Sequence, residues 1–264
     1  LSAALKAAAV GADALRPPPH GLTVLIYHRV GAQTASPVDL PRALFDEQLA
    51  TLSGNGRIVA LDHALDLLEK PRGADRPVVL TFDDGTTDWV DEVLPVLVRH
   101  RAPATFYVAT DFVERGVSFP SGAAISWAGL AELVSSGLAT IGSHTHTHAL
   151  LDRADAATAA DELVRSIDLI GERLGISCEH FAYPKALLGS AGAEPEVRRR
   201  FRSAAVAGSR PNRYGATDVH RLSRTPIQVG DGMRWFQHKA DGGMRLEDAA
   251  RELLNRRRYA GATT

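Results

Sequence analysis

Short apolar runs rich in β-branched residues recur along the chain at 24–27, 57–61, 78–82, 104–109, 139–142, 180–183 and 203–206. Runs of that length, bounded by turn-forming residues, predict strands. Between several of them the apolar positions take helical spacing. Val90, Val93, Leu94, Leu97 and Val98 fall on one stripe, and Leu163, Ile167, Ile170 and Leu174 on another. Strands alternating with helices predict a parallel sheet with crossover helices. Seven such units in one domain favour a closed barrel over an open sheet, so the expected fold is a single α/β domain.

The first twenty residues are alanine-rich and end in Pro17-Pro18-Pro19, a pattern that predicts a frayed helix followed by a stiff linker. The expected division is an N-terminal extension over 1–20, the domain proper over 21–250, and a polar tail over 251–264, loose from Gly261 onward. A length of 264 residues lies near the upper end of what one core supports. Hydrophobic residues make up 45% and charged residues 23%, the balance of an ordinary soluble globular protein.

A formal net charge of -1 gives no global field toward nucleic acid, and no aromatic interleaving supports such a partner. The basic runs Arg198–Arg200 and Arg256–Arg258 read as solvated helix faces. Cys178 is the only cysteine, which excludes an intrachain disulfide. No apolar run approaches the roughly 18 residues a membrane span needs. The chain starts at Leu1 without an initiator methionine, so a preceding segment, such as a signal peptide or anchor, is expected to have been removed or left out.

In a parallel barrel the chemistry gathers at the C-terminal ends of the strands. Two clusters stand there. The run 78–82 leads into Asp83-Asp84-Gly85. Adjacent carboxylates at a strand end point in different directions, so one can ligate a metal while the other serves as a base. Gly85 supplies a tight turn. The run 139–142 leads into Ser143-His144-Thr145-His146-Thr147-His148. On an extended strand, neighbouring histidines of this set sit about 6.6 Å apart, too far for one metal. On a helical turn His144 and His148 converge at i and i+4, while His146 points away. The turn reading selects His144 and His148 as ligands beside one aspartate, leaving metal positions open to water and substrate. Zinc is the expected ion, and other divalent ions suit the same donors.

Thr81-Phe82-Asp83-Asp84-Gly85 and His144-Thr145-His146-Thr147-His148 resemble the first two signature motifs of the polysaccharide deacetylases, carbohydrate esterases with a NodB-type domain. The segments 25–30, 104–108 and 125–137 resemble further parts of that domain. His180-Phe181-Ala182-Tyr183-Pro184 resembles the third motif of the subgroup containing biofilm poly-N-acetylglucosamine deacetylases. The resemblance spans roughly 22–237. It implies a distorted (β/α)₇ barrel of TIM-like form and removal of N-acetyl groups from amino sugars of a glycan or glycoconjugate. Asp83 would be the general base, and Asp84, His144 and His148 the metal ligands. The backbone N–H of Lys185 would face the oxyanion, with Tyr183 and Pro184 contacting substrate. The partner implied is an N-acetylated glycan. The family favours a cell-envelope or extracellular site, with the cytoplasm open and the oligomeric state undefined.

Three departures from the family pattern refine this reading. The third motif usually continues Tyr-Gly, and here it continues Lys185-Ala186, which alters the loop that meets substrate. The usual arginine that orients the base is absent from this motif, and Arg224, in Arg221-Leu222-Ser223-Arg224, is the candidate to replace it. No Leu-x-His segment supplies a general acid, which leaves either His238 or a proton returned by Asp83, the course favoured. His28, just past the first strand, is a weaker candidate ligand. Tyr27, Trp89 and Trp127 read as core aromatics. Two rival functions stay open: an O-acetyl esterase or deacylase of a small or lipid-linked acyl-amino sugar, and an inactive glycan-binding descendant.

Overall fold

The computed structural model describes residues 2–71, 76–118 and 122–259, with the side chains of 252 and 255–259 left out. The chain opens with helix α1 (Ala3–Leu15) and strand β1 (Thr23–Tyr27), then a short ribbon of β2 (Arg29–Val30) and β3 (Asp39–Leu40). Helices α2 (Arg42–Gly54) and α3 (Leu61–Leu68) precede β4 (Val78–Phe82). Next come α4 (Leu94–His100), β5 (Ala104–Val108), α5 (Thr110–Arg115), α6 (Trp127–Ser135) and β6 (Ala139–Ser143). The second half carries α7 (Ala156–Leu174), β7 (His180–Ala182), α8 (Ala193–Arg200), β8 (Ser203–Ala207) and β9 (Leu222–Pro226). Helices α9 (Gly232–Ala240) and α10 (Arg245–Tyr259) follow.

Seven strands close a barrel in the order β1-β4-β5-β6-β7-β8-β9, and every neighbouring pair is parallel. The expected seven-stranded barrel is therefore the architecture. Side chains alternate along each strand, as period 2 requires. Leu25, Tyr27, Val78, Leu80 and Phe82 point outward into the layer shared with the helices. Val24, Val79, Tyr107, Ala182, Ala205 and Leu222 fill the interior together with Leu61, Ala64, Leu65 and Leu68 of α3. Helix α3 thus plugs the N-terminal end of the barrel and leaves the C-terminal end as the accessible mouth.

The barrel is irregular at one seam. Strands β6 and β7 share a single residue pair, Ser143 with Phe181. Gly142 explains the close approach there. A Cβ at this position would lie 2.7 Å from the Tyr107 ring and 2.8 Å from the His180 carbonyl oxygen, so any larger residue would force the strands apart.

The strand inventory differs from expectation in two places. The run 57–61 makes only one bridge, Ile58 to Val78, before Leu61 opens α3. Val59 and Leu61 pack with the barrel plug, a role that periodicity in five residues does not distinguish from a strand. The seventh strand is β9, whose sequence Leu222-Ser223-Arg224-Thr225-Pro226 lacks an apolar run yet is almost wholly buried. Arg224 faces the interior and bonds there, whereas Ser223 and Thr225 are buried on the other face of the strand.

Helix α1 is not frayed. Ser2 caps it, Ala9 is fully buried, and buried Lys6 pairs with Asp231, which also receives Lys239 at 2.8 Å. Helix α10 carries the chain past the expected domain edge. The segment from Gly261 onward, expected to be loose, lies outside the described residues, as do the side chains of Arg256–Arg258. Among the described residues no helix is long and apolar enough to cross a membrane.

Candidate metal centre

Strand β4 delivers the two aspartates to the mouth. The Asp83 N–H donates to the Tyr27 carbonyl at 3.1 Å, extending the ladder with β1 by one residue. The backbone then turns sharply, with φ of +83° at Asp84 and +110° at Gly85. A non-glycine residue at positive φ is uncommon and is held only where its surroundings enforce it. Here the Asp84 carbonyl accepts the Ala109 N–H and the Gly85 carbonyl accepts the Ile125 N–H. The turn sends the carboxylates apart, Asp83 toward β9 and Asp84 toward the histidines.

The histidine segment is not the helical turn expected. Strand β6 ends at Ser143, and 144–148 form an irregular loop with φ of +63° at Thr145 and +62° at His148. Two left-handed residues bend the chain back instead of winding it. The pair selected is the same, since the His144 and His148 rings lie 5.0 Å apart at 64°. His146 faces away: its Nδ1 shares a 2.9 Å hydrogen bond with Thr110 Oγ1 at the start of α5.

Asp84, His144 and His148 each offer one donor atom, all within 4.8 Å of one another. Asp84 Oδ1 stands 3.5 Å from His148 Nε2 and 3.7 Å from His144 Nε2. Ligands about 2.0–2.1 Å from a tetrahedral zinc are about 3.4 Å apart, so this spacing fits a divalent ion. The donor chemistry fits as well. His144 Nδ1 donates to the Ala182 carbonyl at 2.7 Å, which fixes the tautomer and leaves the Nε2 lone pair directed at the group. That bond also crosses the β6–β7 seam, where backbone pairing is thinnest.

Beside the triad, Arg224 is fully buried in the barrel and grips Asp83 with both nitrogens, at 2.6 and 2.8 Å. Its remaining contacts are Thr81 Oγ1 at 3.1 Å and the Tyr107 ring, 5.1 Å below the guanidinium. Burial pushes the Asp83 carboxyl up, but Arg224 foremost outweighs it and holds Asp83 below the usual carboxylate range. Burial lowers the His144 imidazole to about 4, so the ring is uncharged at neutral pH, as a ligand must be. Asp84 lies well below its ordinary value: burial raises it, and the hydrogen bond from His148 with the charge of His28 overcomes that.

Lys185 follows β7 at the same end of the barrel. Its φ is +53° and that of Ala186 +57°. The neighbouring Ala186 and Leu187 N–H groups bond back to Tyr183 and Pro184, whereas the Lys185 N–H has no protein acceptor among the described hydrogen bonds. Tyr183 and Pro184, the expected substrate contacts, directly follow β7. Both are buried, and the Tyr183 ring packs edge-on against Phe181 at 4.9 Å, so its faces belong to the core. The loop after β7 turns outward at Lys185, whose side chain is exposed.

Tyr27 and Trp89 are wholly buried, and Trp127 is half-buried with its Nε1 on Glu114. His238, on α9, has its ring 6.4 Å from that of Trp235 and makes no described contact with the mouth. His28 matters more than its sequence signal implied. It contributes to lowering both Asp83 and Asp84, and its Nδ1 is buried without a hydrogen-bond partner. The only sequence clue to it was its position past the first strand.

A closed parallel barrel plugged below and carrying a carboxylate–imidazole donor group at its mouth is the build of a TIM-like barrel with a candidate metal site. Residues 70–193 match the family model described as polysaccharide deacetylase. That segment is therefore similar to the polysaccharide deacetylase family. It is 36% identical over 90 residues to a chitooligosaccharide deacetylase of Bradyrhizobium sp. (strain ANU 289), covering 34% of this chain and 36% of that protein. The chain spans about a third of the length of the curated relatives it matches. Among solved structures, IcaB from Ammonifex degensii superimposes with a TM-score of 0.71 at 27% identity, covering 85% of this chain and 98% of that one. The Streptococcus pyogenes deacetylase PplD, solved in complex with acetate, gives a TM-score of 0.75 at 21% identity over 84% and 99% of the two chains, a likeness of fold.

Proposed function

We propose that this chain removes N-acetyl groups from amino-sugar units of a glycan or glycoconjugate, with a divalent metal held by Asp84, His144 and His148. The observation that carries this reading is the convergence of a carboxylate oxygen and two imidazole nitrogens, all within 4.8 Å of one another, beside an arginine-clamped aspartate. The family likeness of residues 70–193 and the chitooligosaccharide deacetylase relative support it. When bound, a divalent cation lowers the pKa of water and draws electrons from the acyl carbonyl.

The protein's own residues supply the rest. Arg224 occupies one side of both Asp83 oxygens, which fixes the carboxylate and leaves its free edge to accept a proton from the attacking water. The Lys185 N–H donates to the oxygen on which negative charge develops. Departure of the amine needs a proton. Asp83, held below the usual carboxylate range, releases readily the one it has taken. His28 is the second candidate donor, because its Nδ1 is buried beside the aspartates without a partner. His238, on α9, makes no described contact with these residues.

Acetate release from a panel of N-acetylated and O-acetylated amino-sugar oligomers, with added zinc and after chelation, tests the proposal. The expected result is zinc-dependent release from the N-acetylated set. Release confined to O-acetylated substrates would favour an esterase, and no release from either set in any divalent metal would favour a glycan-binding descendant.

A further inference from the structure

The histidine loop has an energetic difficulty of its own. Thr145 is β-branched and sits at φ +63°, and His148 sits at +62°. Each costs on the order of 1–2 kcal/mol relative to the right-handed region, more for a branched side chain. Such a conformation persists only if its surroundings over-determine it. Without that support the loop relaxes toward extended backbone, and the two imidazoles move apart.

The support comes from one face of α7. Glu162, 9% exposed, accepts three hydrogen bonds from the centre of the loop. The His146 N–H reaches its Oε2 at 3.0 Å, the Thr147 N–H the same oxygen at 2.8 Å, and the Thr147 hydroxyl its Oε1 at 2.8 Å. One helical turn later, Ser166 takes the start of the loop. Its hydroxyl bonds the Leu163 carbonyl and meets Ser143 Oγ at 2.6 Å, which in turn accepts the Thr145 N–H. From the opposite side, the Asp111 N–H of α5 donates to the His146 carbonyl at 2.9 Å. The middle histidine is therefore an anchor, and the two outer ones project from a segment fixed on both sides.

We propose that Glu162 is the positioning residue of the metal centre. By holding the N–H groups of His146 and Thr147 on one carboxylate oxygen, it sets the separation of His144 and His148. This rests on reading Asp84, His144 and His148 as metal ligands. Glu162 touches neither substrate nor metal, and acts only through the loop.

The series Glu162→Ala, Glu162→Gln and Glu162→Asp tests this in the full chain, read by zinc titration against a chromogenic chelator. Loss of a group that orients ligands costs about 10–100-fold in affinity, the loss expected for Glu162→Ala. Glu162→Gln is expected within about threefold of wild type, since its amide oxygen accepts both N–H groups and its NH₂ donates to the Thr147 hydroxyl. Glu162→Asp keeps the charge but is one methylene short, so it falls between them. A residue that only stabilised the fold would lower the melting temperature across the series and leave zinc affinity per folded molecule unchanged. That result, in Ala or, if Ala does not fold, in Asp, overturns the proposal, as does a Gln variant as weak as Ala. Hydrogen exchange of the His146 and Thr147 amides in metal-free protein decides independently of the metal reading. Faster exchange in Ala with wild-type protection in Gln supports the brace, and unchanged protection in Ala overturns it. If the wild type binds no zinc, the ligand assignment fails, and the exchange experiment still decides the role of Glu162.

Discussion

His144 and His180 are buried alike, at 2% and 1% exposure, at opposite ends of adjoining strands. Burial lowers both imidazoles below the usual range. At the plugged end, His180 bonds Ser203 Oγ through Nδ1 at 2.9 Å and faces Asp62 through Nε2 at 3.3 Å. By residue type this is a Ser–His–Asp set, yet both ring nitrogens are matched and Ser203 is 1% exposed. At the mouth, His144 uses one nitrogen on a carbonyl and leaves the other 3.7 Å from Asp84, beyond hydrogen-bond reach. Backbone strain divides the same way. Of the eight non-glycine residues at positive φ among the described residues, Asp84, Thr145, His148, Lys185 and Ala186 stand at the mouth. A cluster satisfied within itself stabilises a fold, whereas one held in a strained backbone with a ring nitrogen unmatched is arranged for something that binds.

The comparison breaks first at Asp83. In Asp83→Asn acetate release should fall by roughly 10²–10⁴-fold while the metal stays, because the base is removed and the ligands are not. Near wild-type turnover would remove Asp83 from the chemistry, and loss of metal would exchange its role with that of Asp84. Next comes Arg224→Leu, which strands the buried Asp83 carboxylate. Denaturant titration should show a loss of about 3–5 kcal/mol, the cost of breaking a buried pair by removing one partner. Asp83 should then titrate higher, shifting the acidic limb of the pH–rate profile upward. An unchanged limb would mean that Arg224 does not set the base.

Acid titration sharpens the contrast further. His144 binds its proton at about 4 in the folded chain and near 6.5 when unfolded. Between those values the unfolded state holds more protons, so stability falls as pH drops through this window. The loss should be on the order of 3 kcal/mol in metal-free protein, and His144→Gln should reduce it. Asp83 and Asp84, both lowered, lose their stabilising contribution only below about 3.9, outside that window. A flat response between pH 6.5 and 4 would contradict the buried neutral state. The smallest effect is expected at Ala186→Gly, where relief of positive φ is partly offset by unfolded-state entropy, for a net gain under about 1 kcal/mol. A destabilised Gly variant would show that this loop is not strained.

Much of this molecule was legible in the sequence because most of its strands are apolar and its candidate ligands follow strand ends. Val78–Phe82 before Asp83-Asp84 and the run before His144 announced both the barrel and the mouth. What stayed hidden was buried polarity. Strand β9 carries Arg224 into the interior and buries Thr225 on its other face, and so lacks the apolar signature of its neighbours. The run 57–61 has that signature but serves a plug. The helical turn assumed for the histidines was wrong in geometry although it chose the same pair, because two left-handed residues bring His148 back where winding would also have brought it. Tyr183 read as a sugar platform because aromatic residues near a motif resemble one, and only packing against Phe181 shows where its ring lies. Glu162 sits 14 residues beyond His148 on a helix, and no local pattern links the two.

Elemental analysis of dialysed protein compares the two ends of the barrel most directly. Wild type and His180→Ala should each retain about one divalent ion per chain, and the His144→Ala/His148→Ala double variant should retain none. Full occupancy in the double variant, or loss of the metal in His180→Ala with the fold intact, would contradict the assignment of the site to the mouth.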